Sequence, residues 1–305
     1  MTAISDLLMT TRLGEPIFSG SAFLYPIMGG HDDLPPLVTL DEAITAHVAV
    51  VTETSESGAV PELAVANHST CALFVLDGEQ VIGVKQNRTF NLSMLLPPKS
   101  NTVVPVSCLE SGRWSMRHGA VRAGEHVHFA QGRANKLRSV SESLMSGGNY
   151  SADQGRVWRD IDAKFDAACA MSPTSAEADF YEQRRERLQP HLSDFKPKPD
   201  QCGALVGVGK SIIGVDLFGS AALYDRLSSK LLKSYLLDTI EIEVKPEPPR
   251  LDEVQAKILS LFRGSDRRFP APGIGETHRW SSAAGSGAAL VADGRCLHAV
   301  AFCDA

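Results

Sequence analysis

No stretch of the chain approaches the roughly 20 consecutive apolar residues that a helix needs to cross a bilayer, which excludes a helical membrane protein. The opening segment, MTAISDLLMTTRLGEP, has no basic leader running into an apolar core, so the expected compartment is the cytoplasm. Basic excess is also lacking. With 30 Lys and Arg against 36 Asp and Glu, the net charge of -6 leaves nothing to neutralise phosphates along a duplex, and nucleic acid is not the expected partner. No two cysteines form a CxxC pair; the six (Cys71, Cys108, Cys169, Cys202, Cys296 and Cys303) are scattered and read as reduced thiols, most of them small core residues. Internal repeats are absent too, which removes the solenoid and propeller classes.

What remains is a chain of 305 residues, 43% hydrophobic, with ample apolar material for one large domain or two modest ones. From Phe18 to about Trp114 the pattern is mostly strand: FSGSAFLYPIM, AHVAVV and ELAVANH. Within it, TLDEAITAHV predicts one short helix, because Thr39 can cap it and Glu42 stands at the capping-box spacing. From Thr89 to Leu96 the apolar Phe90, Leu92, Met94 and Leu96 alternate with neighbours that include Asn91 and Ser93, which predicts a single strand with one core face. The prolines at 97 and 98 force a turn, and Val103 to Leu109 is expected to return as the second arm of a hairpin. Asp77-Gly78 predicts another tight hairpin turn, between ALFVL and QVIGV.

The middle changes character. Ser139 to Asp153, rich in Ser and Gly, reads as a loop, and Val157, Trp158, Ile161, Phe165 and Cys169 then recur at helical spacing. Thr174 and Glu177 form a second capping-box pattern before EADFYEQRRERL, and the prolines of 196–199 mark a crossing. In the last third, two strands flank Gly209-Lys210-Ser211, two apolar-striped helices follow (Leu223 to Leu236, and Leu251 to Phe262), and Asp293-Gly294 joins a closing hairpin. The expected fold is α+β: an antiparallel β-rich sandwich or roll over 1–138, a helical connecting segment over 139–199 and an α+β part over 200–305.

Residues 76–114 concentrate the polar chemistry. Lys85, Gln86, Asn87 and Arg88 form a donor cluster, and Ser107, Cys108, Glu110, Arg113 and Trp114 close the next apolar segment. On strand parity Gln86 and Arg88 share the face of Phe90, while Glu110 shares that of Val104 and Val106, so one reading makes Arg88 and Glu110 a buried structural pair. In the other reading a bend near Gly83 lets Lys85, Arg88 and Arg113 converge on an anion, with Trp114 as a stacking platform.

The GE, GxKQNR, VPVSC and ESGRW elements of this stretch, together with GVDLFGS and the SKLLKSYLLDTIE segment, resemble the ADP-ribosylglycohydrolase and rhodanese-phosphatase-associated protein family. Gly83, Lys85, Gln86, Asn87, Arg88, Ser107, Cys108, Glu110, Gly112, Arg113 and Trp114 stand where that family's recurrent motif stands. The resemblance implies a neighbourhood of NAD and ADP-ribose chemistry without fixing a reaction.

Other sites fail on spacing or context. Ser107-Cys108 lacks a nucleophile elbow, and Cys108 reads as a core thiol. His126 and His128 share a strand face, but Gly132 and Arg133 stand where a third metal ligand would follow. Gly203 to Ser211 has five residues rather than four between its glycines and continues as strand, which is a hairpin and not a phosphate loop. Gly273, Gly275, Gly285 and Gly287 read as turn glycines, with Glu276, His278 and Arg279 as candidates for a site at a sheet edge.

The expected function is therefore to bind or process a small phosphorylated, nucleotide-like ligand, with Lys85, Gln86, Asn87, Arg88, Arg113 and Trp114 as ligand residues and Glu110 as acid or base in a hydrolysis. The alternative is a noncatalytic sensor that contacts a protein partner. No cofactor is assigned, and no metal is expected. Elemental analysis of protein purified without chelator should find no stoichiometric zinc; zinc that disappears in the His126→Ala, His128→Ala double variant would contradict this.

Overall fold

The computed structural model describes residues 2–31, 34–55, 61–115, 121–264 and 266–304. In chain order the elements are α1 (Ala3–Met9), β1 (Thr11–Leu13), β2 (Ile17–Ser19), β3 (Ala22–Gly29), β4 (Leu37–Thr39), α2 (Leu40–Thr45), β5 (Ala49–Glu53), β6 (Glu62–Asn67), β7 (Ala72–Val75), β8 (Glu79–Ile82), β9 (Arg88–Phe90), β10 (Met94–Leu96), β11 (Ser100–Cys108) and β12 (Arg122–Val127). They continue with α3 (Ala130–Met145), α4 (Gln154–Ala167), α5 (Glu177–Gln183), α6 (Arg185–Asp194), β13 (Gln201–Val208), β14 (Ser211–Phe218), α7 (Ala221–Leu237), α8 (Leu251–Leu261), β15 (Arg267–Pro270), β16 (Glu276–Ser282), β17 (Gly285–Ala292) and β18 (Arg295–Cys303). The protein is α+β, and of the strand pairs only β4 with β7 runs parallel among the described residues.

Two compact units share the chain, and neither is continuous in sequence. The first comprises Met1–Pro35, Arg185–Pro270 and Gly275–Ala305, the second Pro36–Arg184 with Ala271–Ile274. The boundaries expected near 138 and 199 do not coincide with this division; position 139 lies inside α3, so the segment expected as a loop is helical as far as Met145.

In the first unit β1 and β2 pair with one side of β3, and the sheet continues β13-β14-β18-β17-β16-β15. Both faces are covered. Phe23, Tyr25, Leu205, Val215 and Leu217 pack with Ile4 and Leu7 of α1 and with Val254, Ile258 and Leu261 of α8. On the opposite parity Asp216 meets Tyr235 of α7, and Phe218 meets Tyr224. β17 is buried at every residue although its sheet is antiparallel, a class that usually leaves one face wet, and α8 covers one of its faces. The broad buried stripe of α7 follows from its packing on both this sheet and α6. The predicted turns at Gly209 and at Asp293-Gly294 both form, the latter with the positive φ values (49° and 72°) of a tight two-residue hairpin. FSGSAFLYPIM, expected within an N-terminal roll, instead pairs with β13, far away in sequence.

The second unit contains a sheet ordered β12-β8-β9-β11-β6-β5 and a smaller one ordered β10-β7-β4. The predicted capping box of α2 is present, with Thr39 accepting from the Glu42 amide and Glu42 from the Thr39 amide. Four local expectations fail here. The run 89–96 is not one strand: it breaks at 91–93, and β9 and β10 belong to different sheets. For the same reason neither β10 with β11 nor β7 with β8 makes a hairpin. The physical cause is that the polar half of the alternation never reaches water, because Ser93 accepts from the Asp77 amide and Asn91 donates to the Tyr150 carbonyl and accepts from Ser107. The second predicted capping box is absent as well; α5 has no side-chain cap, and Thr174 and Glu177 serve the interior instead.

The N-terminal turns of α3 sit close to the end of β12. At Gly132 an added Cβ would lie 2.2 Å from Nε2 of His128, and at Gly78, where φ is +84°, it would lie 3.0 Å from the Arg133 side chain. Gly132→Ala should therefore destabilise the protein by about 1–3 kcal/mol, the usual cost of overpacking, measured as a lower urea midpoint with an unchanged slope.

Candidate functional site

The candidate site lies in the second unit, where the β8–β9 connection meets the segment that follows β11. Gly83, at φ +107°, supplies the expected bend. Register then places Arg88 of β9 opposite Cys108 of β11 and Val81 of β8. Arg88 has no exposed surface. Its Nη1 donates to Gln86 Oε1 at 2.8 Å and to Cys108 Sγ, and its Nη2 is 3.9 Å from Glu53 Oε1. Nε and Nη2 have no hydrogen-bond partner among the described residues. The Arg88 Cζ is 5.4 Å from the ring centre of Trp114, and Lys85 Nζ is 5.8 Å from the same ring, both within cation–π range. Trp114 is 46% exposed, so this cluster reaches the surface through the indole.

Arg113 is used differently. Its Nε and Nη2 clamp the two oxygens of Glu110 at 2.9 and 2.6 Å, and its Nη1 donates to the carbonyls of Val84, Lys85 and Ser115. Glu110 is fully buried and also accepts from Thr174 Oγ1 and the Asn87 amide. Burial pushes its carboxyl up, but the hydrogen bonds from Arg113, Thr174 and the Asn87 amide outweigh that and hold it below its ordinary value. Glu110 is therefore ionised at neutral pH with both oxygens engaged, the arrangement of a structural joint between 84–87 and 110–115. The pair expected between Arg88 and Glu110 does not form. Each has another partner, Glu53 for Arg88 and Arg113 for Glu110.

Of the sequence-named residues, Lys85, Gln86, Arg88 and Trp114 come together, whereas Asn87, Glu110 and Arg113 form the scaffold beside them. Cys108 touches the cluster as a protonated thiol: burial pushes it up to about 11, while Arg88 pulls it down and Glu53 raises it, so it is no nucleophile at neutral pH. Sequence reasoning missed Glu53, whose Oε1 also accepts from the Lys85 amide at 3.1 Å. It missed Gln154 too, which brackets Cys108 by bonding both its amide and its carbonyl. Neither carried a local signal, since the first ends an ordinary edge strand and the second begins an ordinary helix.

Other polar groups in this unit are structural ties. Asp77 accepts from Lys136 at 2.5 Å and from Arg133 at 3.3 Å, which makes its turn a buried charge hub for α3. His128 Nδ1 bonds Glu177, which also receives the Phe129 amide and Gln80, while His126 stacks on Tyr181 at 3.7 Å. Among the described residues no group of three His, Cys, Asp or Glu is placed to hold a metal ion. In the first unit, buried His278 of β16 bonds Asp266 at 3.0 Å.

Residues 10–302 match the profile of the ARG and Rhodanese-Phosphatase-superfamily-associated Protein domain. The chain belongs to this family. The match spans both units, including the whole GxKQNR to ESGRW stretch from which the site is built. No curated protein and no solved structure matches the chain. No helix among the described residues is long and apolar enough to cross a membrane.

Because Arg113 neutralises a carboxylate with no exposed surface, Arg113→Ala should cost about 3–5 kcal/mol in chemical denaturation, and Arg113→Lys should recover only part, since an ammonium cannot span both oxygens. Glu110 carries a folded pKa below its ordinary 4.5, so its contribution is complete above that value and is lost as the pH falls through the lower folded one. Glu110→Gln should accordingly flatten the acid limb of the stability profile, read as urea midpoints at successive pH values.

Proposed function

We propose that the unit carrying Arg88 binds a small anionic, nucleotide-like ligand, with the anion held by Arg88 and Lys85 and a ring stacked on Trp114. The observation that carries this reading is the buried guanidinium of Arg88, two of whose donor nitrogens lack hydrogen-bond partners among the described residues. Leaving a buried donor unmade costs about 1–3 kcal/mol, more for a charged group, and a phosphate or carboxylate oxygen would supply the missing acceptor. The half-exposed indole beside it offers the flat face that a base or ribosyl-linked ring would use.

Binding is favoured over turnover. The acid or base considered for hydrolysis, Glu110, is ionised and bound on both oxygens, and Cys108 is a protonated thiol, so the groups nearest Arg88 act as scaffold. A noncatalytic sensor of a phosphorylated metabolite fits this chemistry, and the NAD and ADP-ribose chemistry that the sequence resemblance implies makes ADP-ribose and NAD the first compounds to test.

Thermal shift with ADP-ribose, NAD, AMP and inorganic phosphate is the experiment. A true ligand at 100 times its dissociation constant should add about 2.7 kcal/mol to the folded state. Lys85→Ala and Trp114→Ala should melt like wild type without ligand and lose most of that shift. Chromatography of the incubated compound should return it unchanged. A wild type indifferent to all four compounds, or a full shift in Trp114→Ala, would refute the site; accumulation of product would refute the sensor reading.

A further inference from the structure

We propose that the open edge of β1 and the adjoining side of α8, in the first unit, form a docking groove for an extended segment of a partner protein, with aliphatic side chains at alternate positions and a carboxylate opposite Arg12. The groove is a cleft of about 400 Å³ between Thr11, Arg12 and Leu13 on one side and Leu251, Ile258 and Leu259 on the other. Its volume falls in the range of ordinary recognition sites, roughly 300–1,000 Å³.

The strand residues show how the cleft runs. Successive side chains of a strand point to opposite faces, so a cleft touching three in succession reaches the edge, while Ile27 of β3 and Leu8 of α1 make its floor on the α8 side of the sheet. β1 is a terminal strand of its sheet, with β3 on one side and no strand on the other among the described residues. Register settles which backbone groups are open. The Gly14 amide donates to the Pro26 carbonyl at 2.8 Å, continuing the pairs Leu13↔Ile27 and Arg12↔Met28. Antiparallel pairs alternate, so Arg12 bonds toward β3, and the amides and carbonyls of Thr11 and Leu13 turn outward along the cleft.

A lipid or aromatic compound would use the apolar walls but leave those backbone groups unpaired, whereas a peptide strand uses both. Edge strands are commonly blunted by shortness, charge, proline, bulges or a covering element; β1 is short, at three residues, and carries the charged Arg12 but no proline. Arg12 is exposed and has no carboxylate partner among the described residues, while Asp252 nearby is paired with Arg250 at 3.2 Å. The local charge therefore favours an acidic partner. Leu259, 41% exposed, presents an aliphatic contact at the rim.

The test uses the full chain on an array of randomised octapeptides, followed by fluorescence anisotropy with the strongest binder. Selected sequences should alternate Val, Ile or Leu with other residues and carry Asp or Glu. N-methylation of alternate amides should weaken binding about tenfold in one register and little in the other, the signature of strand pairing. Arg12→Glu and Leu259→Asp, both at exposed positions, should melt like wild type and each weaken binding by about fivefold or more. An array without selected sequences, binding unchanged in both variants, or indifference to N-methylation in either register would overturn the proposal. So would displacement of the peptide by decanoate at equal concentration, which would make the cleft a lipid site, or self-association in sedimentation that Leu259→Asp abolishes, which would make it an interface between copies.

Discussion

The carboxylate of Glu110 has no exposed surface and cannot be left unpaired, and the geometry around Arg88 follows from that requirement. Arg113 meets it with two parallel hydrogen bonds, and its remaining donors then fall on the carbonyls of 84, 85 and 115. Thr174 and the Asn87 amide complete the shell. An ionised side chain thus ties three separate pieces of backbone together. Isolated burial of such a charge would be prohibitive, so the shell is a condition for the loop to hold its shape and not an ornament upon it.

With that loop fixed, two arginines of one motif acquire opposite characters. Arg113 is saturated by protein acceptors, whereas Arg88, only a few residues away in space, has spare donors and an indole over its guanidinium. Nothing in the residue type separates them. What separates them is the supply of acceptors: Arg113 lies among the carbonyls of a turn, and Arg88 lies between strands whose carbonyls are already engaged in the ladder, with Glu53 at 3.9 Å as its nearest carboxylate. A saturated cation is a structural joint, and an unsaturated buried one is the feature most readily explained by a ligand.

The first unit solves a different problem. In its antiparallel sheet β3, β13 and β14 lie between α7 on one face and the core shared with α1 and α8 on the other, so these inner strands read as nearly continuous apolar runs. Some polar residues inside it are closed into hydrogen-bonded groups. Asp216, between His298 at 2.9 Å and Tyr235 at 2.5 Å, is the clearest, and its charge helps raise the hydroxyl of neighbouring Tyr224, whose burial is the larger cause.

By itself the sequence determined the α+β class, the helices α2, α4, α7 and α8, the hairpins at Gly209 and Asp293-Gly294, and the stretch in which polar chemistry gathers. Each depends on signals confined to a few residues: a capping box, a 3.6-residue apolar stripe, a turn dipeptide. Tertiary structure alone decided that 89–96 is two strands in two sheets, that Thr174 and Glu177 hold the interior and do not cap a helix, and that Glu53 and not Glu110 faces Arg88. It also decided that the N-terminal strands join a sheet completed by the last 100 or so residues. The physical reason is common to all of these: alternation reports which face is apolar but not whether the other face meets water or a second layer, and a buried charge takes whichever partner the long-range pairing of strands brings within reach.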